Sequence, residues 1–362
     1  MRHIAKISLF VLLCWAIYRQ LFSKGSLWDL WLYDWGQLHN TYFWVAFALI
    51  GLNWSLEALK WQYLLRFITS PNFGESLRGV LGGVALALFT PNRIGEYGGR
   101  IWWLPQSVRW QGIIALFSGN MLQLSVNIIG GAIGFSVYCY IYRPFVIWQW
   151  AIVMALLLVI LTLLLLYLLV SKQFRHYCVN HSLFIGLKNR VHHFIEADAA
   201  HRADKGALRS PLYQLKYYLF HYTAIGLSRF EEALNTVLQH YSATYLRPIW
   251  LLSALRYLVY AGQYVLLLKA LGINFSLWGL LLAVLSAYFL QTILPTIAVL
   301  ELGIKGSIAL FVFSPISLHS SAILAATLLL WCFNLALPAL IGAIFMAFNR
   351  ATALYSDKKN EQ

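Results

Sequence analysis

Charged side chains stand in this sequence where an apolar run should continue, and they are of a kind that grips oxyanions. The stretch Thr90-Pro91-Asn92-Arg93-Ile94-Gly95-Glu96-Tyr97-Gly98-Gly99-Arg100 carries two arginines and a carboxylate. A guanidinium can hold a phosphate through two parallel hydrogen bonds. Arg93 and Glu96 are spaced to pair across one helical turn, which leaves Arg100 unneutralised and suited to a lipid phosphate. An interfacial alternative stays open, in which these side chains snorkel to the headgroup level. It is strongest for Arg100, because Trp102 and Trp103 beside it read as interfacial anchors. A second stretch has Pro295 and then Glu301-Leu302-Gly303-Ile304-Lys305-Gly306. Glu301 and Lys305 are spaced i,i+4 in the order that favours a helical ion pair. Either they satisfy one another, or Glu301 meets the first stretch's arginines and Lys305 contacts substrate.

Proline and glycine at these places disfavour a continuous helix. Pro91 and Gly95 mark the first break, Pro295 and Gly303 the second. Broken backbone inside a bilayer is tolerated only against protein or a watery cavity. Intramembrane charge costs about 2.5–3.5 kcal/mol per group on insertion scales, so Arg93, Glu96 and Arg100 need partners or water.

The rest of the chain supplies the membrane. Of its 362 residues, 60% are hydrophobic and 11% charged, against about 25% charged in soluble domains. With 15 Trp and 21 Tyr, it has the material for two aromatic belts. The expected fold is an all-α polytopic membrane protein, one transmembrane domain over 1–362. Full spans are expected near 6–22, 42–66, 111–138, 146–170, 247–270 and 321–348. Two broken or re-entrant hairpins fall at 77–105 and 277–315. Arg2 and Lys6 precede an apolar run without a small-residue cleavage site, so 6–22 reads as a retained span.

Net charge is +14, and its placement predicts orientation. Lys and Arg crowd 171–216 and the C-terminus, while 23–41 and 139–145 carry few. Both termini are therefore expected in the cytoplasm, with a bacterial inner membrane as the location. The 171–245 region reads as a cytoplasmic loop with amphipathic helices at the interface, or as a small helical pair. No basic soluble domain is seen, so nucleic acid is not an expected partner. Cys14, Cys139, Cys178 and Cys332 form no CxxC pair, and His192-His193 has no matching ligand set. No metal or cofactor is expected.

The two halves resemble one another at an offset of about 200 residues. Gln62-Tyr63-Leu64-Leu65 returns as Gln263-Tyr264-Val265-Leu266, and Asn72-Phe73 as Asn274-Phe275. Repeats are expected over 42–138 and 247–349, each span, broken hairpin, span, in opposite orientation. Inverted repeats of this kind are typical of transporters, whose sites lie near the midplane. Asn53, Glu57 and Lys60 on the second span, and Asn120, Gln123 and Asn127 on the third, form polar stripes of the type that joins helices. Arg256 in the fifth span could reach the cytoplasm by snorkelling.

The pattern Pro91-x-Arg93-x-Gly95-Glu96-x-x-x-Arg100 resembles the lysylphosphatidylglycerol synthase transmembrane-region family. Leu59-Lys60-Trp61-Gln62-Tyr63-Leu64-Leu65 looks like that family's second-span pattern, and Pro295 with Glu301 like its second motif. The resemblance covers roughly 40–350. It implies two inverted re-entrant subdomains and a role in moving lipid between leaflets. Two departures go with it. There is no soluble aminoacyl transferase domain, so the chain is not expected to make lysylphosphatidylglycerol. And Thr296-Ile297-Ala298-Val299-Leu300-Glu301 stands where the family has a glycine-rich turn.

The leading expectation is a flippase or transporter for an anionic or aminoacylated phospholipid, or a lipid-linked headgroup. Arg93 and Arg100 would hold the phosphate, with Glu96 and Glu301 tuning the field and Lys305 near the substrate. Alternatives are an accessory subunit presenting a lipid carrier to a glycosyltransferase or lipid-modifying partner, and an intramembrane enzyme. No nucleophile, base and orienter are seen together, so the chain is read as no enzyme.

Overall fold

The computed structural model describes residues 40–88, 90, 93–142, 146–171, 226, 229–293 and 301–360. The expected span 6–22, the charge-rich part of the loop after 171, and both Pro91 and Pro295 lie outside the described residues. The described elements are α1 (Thr41–Leu65), α2 (Phe73–Ala87), α3 (Gly95–Ile101), α4 (Arg109–Tyr142), α5 (Val146–Val170), α6 (Ala243–Ala270), α7 (Leu277–Ile293), α8 (Glu301–Phe313), α9 (Ser320–Trp331) and α10 (Leu337–Asn360). No strand occurs among the described residues. Five helical segments are long and apolar enough to cross a membrane: Thr41–Leu65, Gln106–Tyr142, Gln149–Tyr167, Ala243–Ala270 and Ser320–Phe348. The chain is an all-α membrane protein.

Each hairpin arm is short for a reason visible in its ends. Helix α2 starts on a capping box: the Asn72 side chain accepts from the Glu75 amide at 2.9 Å, and Glu75 accepts from the Asn72 amide at 2.9 Å. That satisfies two amides at its first turn. It runs 15 residues, about 22 Å, and α3 runs only seven. Neither spans a hydrocarbon core of about 30 Å. Helices α7 and α8, of 17 and 13 residues, are also short of it.

The first hairpin is closed by glycine. A Cβ at Gly99 would fall against the Gly82 carbonyl and 2.6 Å from Gly83 Cα, and one at Gly83 would fall 2.8 Å from Arg100 Cγ. Gly95 is needed because α3 begins against the Leu86 carbonyl. Small residues at this spacing let two backbones touch.

The element order of α1–α4 returns in α6–α10, with seven residues between the arms of each hairpin. The halves pack reciprocally. The first half's hairpin arm α2 lies on α10, the second half's arm α7 lies on α4, and α1 lies on α6. Helices α1 and α6 run antiparallel. Asn40 donates to the Ala270 carbonyl at 2.8 Å, Gln263 to the Ala46 carbonyl at 3.0 Å, and Tyr245 to the Tyr63 carbonyl at 2.8 Å. Helix α5 packs on α4 and leaves Leu and Ile side chains such as Leu157, Ile160 and Leu164 exposed to lipid.

Residues 229–240 are helical, with Ala233 and Val237 buried one turn apart. Phe230 meets Trp110 edge-on, and the His240 ring stacks on Phe67 at 4.3 Å. This part of the expected interfacial region is an amphipathic helix docked on the end of the bundle where α1 stops and α4 starts.

Candidate functional site

The first break shows how a bilayer segment copes with lost helical hydrogen bonds. Thr90 replaces them with its side chain. Its hydroxyl faces the Leu86 and Ala87 carbonyls at 3.3 and 3.4 Å and accepts from the Gly95 amide at 2.6 Å. Arg93 then turns the chain with φ of 57°. Left-handed backbone at a non-glycine residue stores strain, and strained residues gather at working sites.

From that turn α3 runs back along α2 and sets Arg100 deep in the protein, only 2% exposed. Its Nη2 lies 2.7 Å from Glu57 Oε1 and 2.5 Å from Glu96 Oε1. Glu57, on α1 and also 2% exposed, is the hub. Its other oxygen meets Lys60 Nζ at 2.7 Å and Arg256 Nη1 at 3.0 Å. Two carboxylates thus serve three cations drawn from α1, α3 and α6. The Arg100 guanidinium also lies over the Trp61 ring at 5.4 Å, and that of Arg256 over Trp54 at 5.4 Å.

A polar relay carries the network across the halves. Arg256 Nε donates to Asn53 Oδ1 at 3.1 Å, and Asn53 donates to Asn334 at 2.6 Å. Asn334 donates to Gln263 Oε1 at 3.2 Å, and Gln263 ends the chain on the Ala46 carbonyl. Asn334 sits in a π-turn, Cys332–Ala336, joining α9 to α10. Pro338 lacks the amide that would bond the Asn334 carbonyl in a regular helix, and such π-turns recur at functional positions.

These residues border a cavity of about 450 Å³ between the halves. Arg93, Glu96, Arg100, Asn120, Gln123 and Asn127 line it from the first half, and Arg256, Gln291, Lys305 and Asn334 from the second. Asn53 and Arg256 stand halfway along α1 and α6, so the cavity lies at mid-depth of the bundle. Its described lining carries four cationic side chains, Arg93, Arg100, Arg256 and Lys305, against the carboxylates of Glu57 and Glu96. The Glu301 side chain lies outside the description. Trp54, Tyr257 and Trp331 add buried polar N–H or O–H groups with no partner among the described residues. The size falls within the range of small-ligand pockets.

Several sequence expectations change here. Arg100 does not snorkel, and it is not the unneutralised member of the first break: it takes Glu96, the carboxylate expected to pair with Arg93, and Glu57 as well. Arg256 is held inside by Glu57 and Asn53 rather than reaching for the cytoplasm. Among the described side chains, which do not include that of Glu301, the carboxylate that meets Arg100 from another element is Glu57, on a stripe read as helix-joining. Its signal was present, since a carboxylate inside a span is costly by default, but Lys60 one turn away made it look self-sufficient. Arg93, Glu96, Arg100 and Lys305 do share one cavity. Gly303 lies on α8, a half-buried helical position. No group of three or more His, Cys, Asp or Glu residues suited to a metal ion occurs among the described residues. Cys139 and Cys332 are free thiols.

No protein-family model matches the chain, and no curated protein aligns with it significantly.

Proposed function

We propose that this protein moves an anionic lipid headgroup, phospholipid or lipid-linked, between the leaflets of a bacterial inner membrane. One observation supports the reading above the others: a positively lined polar cavity at mid-depth between two reciprocally packed halves. Transporters built from inverted repeats place their sites at such an interface. Arg93, Arg256 and Lys305 would draw the phosphate in. Arg100, tied to Glu57 and Glu96, would hold the wall in place. Transfer would proceed by exposing the cavity to each side in turn, without covalent chemistry. The proposal also places the chain near the lysylphosphatidylglycerol synthase transmembrane-region family, whose first motif Arg93, Glu96 and Arg100 resemble.

The test is reconstitution into vesicles containing fluorescent phosphatidylglycerol, with a quencher added outside. Transfer should be faster than in empty vesicles, and Arg93→Gln with Lys305→Gln should slow it at least tenfold while the protein still purifies folded. Equal rates with and without protein, for every native lipid class tried, would end the proposal. Orientation is checked with cysteines at Ser70 and Asn274 in a cysteine-free background. An impermeant maleimide should reach Ser70→Cys from the cytoplasm and Asn274→Cys from outside. Labelling of both from one side contradicts the inverted arrangement.

A further inference from the structure

A second cavity, about 400 Å³, lies on the other side of Arg100 and belongs to the first half alone. The end of α1, the α1–α2 loop, the start of α2 and the end of α3 enclose it. Its mouth carries exposed Arg78, Glu75 and Pro105. Its floor is Arg100, Ser76 and Trp61, each at most 2% exposed.

The floor and walls hold an unusual set of atoms. Arg100 Nε and Nη1, Trp103 Nε1, Ser76 Oγ and Thr69 Oγ1 are all buried, and none has a hydrogen-bond partner among the described residues. Guanidinium and indole N–H groups can only donate, and the two hydroxyls are free to donate. Burying such groups without acceptors is unfavourable. Water would satisfy some, but each water brings two protons that need acceptors of their own. The one carboxylate lining the cavity is Glu75, and it is already committed to the capping box of α2. A ligand rich in acceptors and poor in protons answers the whole set at once.

We propose that this cavity is a second oxyanion site, sized for one phosphate or phosphodiester group. Arg100 supplies the inner guanidinium face, Trp103 and Ser76 donate from the sides, and Arg78 closes over the mouth. The cavity opens where α1 ends, at the membrane face, a level that both lipid headgroups and soluble phosphate can reach. The site does not depend on transport. It requires only that Arg100 present Nη2 to the carboxylates and its other nitrogens to this side.

The experiment is a thermal unfolding titration of the full chain in neutral detergent. The probes are inorganic phosphate and short-chain phosphatidylglycerol, with sodium chloride matched for ionic strength. A ligand bound only by the folded state raises the unfolding temperature in a saturable way. The titrations are made in the Arg93→Gln/Lys305→Gln background, which removes two of the cations proposed to bind headgroups in the central cavity; there, adding Ser76→Ala/Trp103→Phe should weaken binding at least tenfold. Neither change breaks a hydrogen bond of the described residues, so the fold is retained. Without Ser76→Ala/Trp103→Phe, the Arg93→Gln/Lys305→Gln chain should still show a saturable rise, which then belongs to this cavity. A response to phosphatidylglycerol alone identifies a headgroup, to phosphate alone a soluble anion, and to both an oxyanion of either source; each supports the site. No saturable rise with either probe overturns it. So does a rise in Arg93→Gln/Lys305→Gln that survives the addition of Ser76→Ala/Trp103→Phe.

Discussion

The two hairpins are built to one plan and filled with different chemistry. Each has a longer arm, α2 or α7, a seven-residue interval, and a shorter arm, α3 or α8. Each lays its longer arm on the last span of the other half. In the first hairpin the arms touch backbone to backbone through Gly82, Gly83, Gly95 and Gly99. Its short arm carries Glu96 and Arg100 into an ion-pair network. In the second, α7 is apolar along most of its length, and α8 brings Lys305 to the cavity wall. Where α1 meets α6 the same division holds. Glu57 and Lys60 lie on α1, and α6 answers with the single cation Arg256. Both halves meet at one cavity, and among the described side chains the carboxylates that hold its cations, Glu57 and Glu96, come from the first half.

The sharpest way to break this comparison is to remove the hub. Glu57→Gln keeps the shape and leaves Lys60, Arg100 and Arg256 with Glu96 as the remaining carboxylate of the network. Uncoupling a buried ion pair by losing one partner costs about 3–5 kcal/mol. The variant should lose about that much in detergent unfolding experiments. Glu57→Gln/Lys60→Met, which also removes one orphaned cation, should recover part of it. Wild-type stability in Glu57→Gln would mean that water in the cavity, rather than Glu57, holds the cations.

A smaller effect should separate the hairpins by packing. Gly99→Ala pushes a methyl group against the backbone of Gly82 and Gly83, which has no rotamer to yield. Overpacking of this kind costs about 1–3 kcal/mol. Prying α3 from α2 would also draw Arg100 away from Glu57, so the variant should slow lipid transfer in the vesicle assay if the proposed function holds. Gly306→Ala in α8 meets only Leu324 Cδ2, at 3.1 Å, the free end of a flexible side chain. Because that side chain can shift, the expected cost of Gly306→Ala is below that of Gly99→Ala. Equal losses in the two variants would show that the second hairpin is packed as tightly as the first.

The spans were legible because length and apolarity are local. Residues 146–170 and 277 onward begin as expected, and α1 differs by one residue at each end. The hairpins start or stop a few residues from expectation because caps and turn chemistry set their ends: Asn72 and Glu75 open α2 earlier than apolarity alone implies. The wiring of the charges was not legible. Glu57 and Lys60, and likewise Arg93 and Glu96, have spacings that satisfy themselves on paper. Which cation wins a carboxylate depends on elements 40 to 200 residues away, as Arg100 and Arg256 do for Glu57. Trp102 and Trp103 pointed to the interface, and Trp102 is indeed exposed. Arg100, two residues earlier on a helix, faces the other way.

The smallest effect tests what joins the halves. Asn334 accepts from Asn53 and donates to Gln263, so Asn334→Leu cuts the relay at its centre. Asn53 and Asn334 both line the cavity, and water there can take over the freed groups. Hydrogen bonds between membrane helices average about 0.6 kcal/mol and reach about 1.7, so the loss should fall in that interval. Asn53→Leu should cost more, because it also strips Arg256 Nε of its acceptor. This ordering follows if apolar packing of α1 on α6 and of each hairpin on the opposite span holds the halves together. The relay then serves to fix Arg256 toward Glu57. If Asn334→Leu instead unfolds the protein as readily as Glu57→Gln, the relay is the joint itself. In that case the asymmetry between halves would extend from the site to the scaffold, because the π-turn that carries Asn334 is described in the second half's last span and not in α4 of the first.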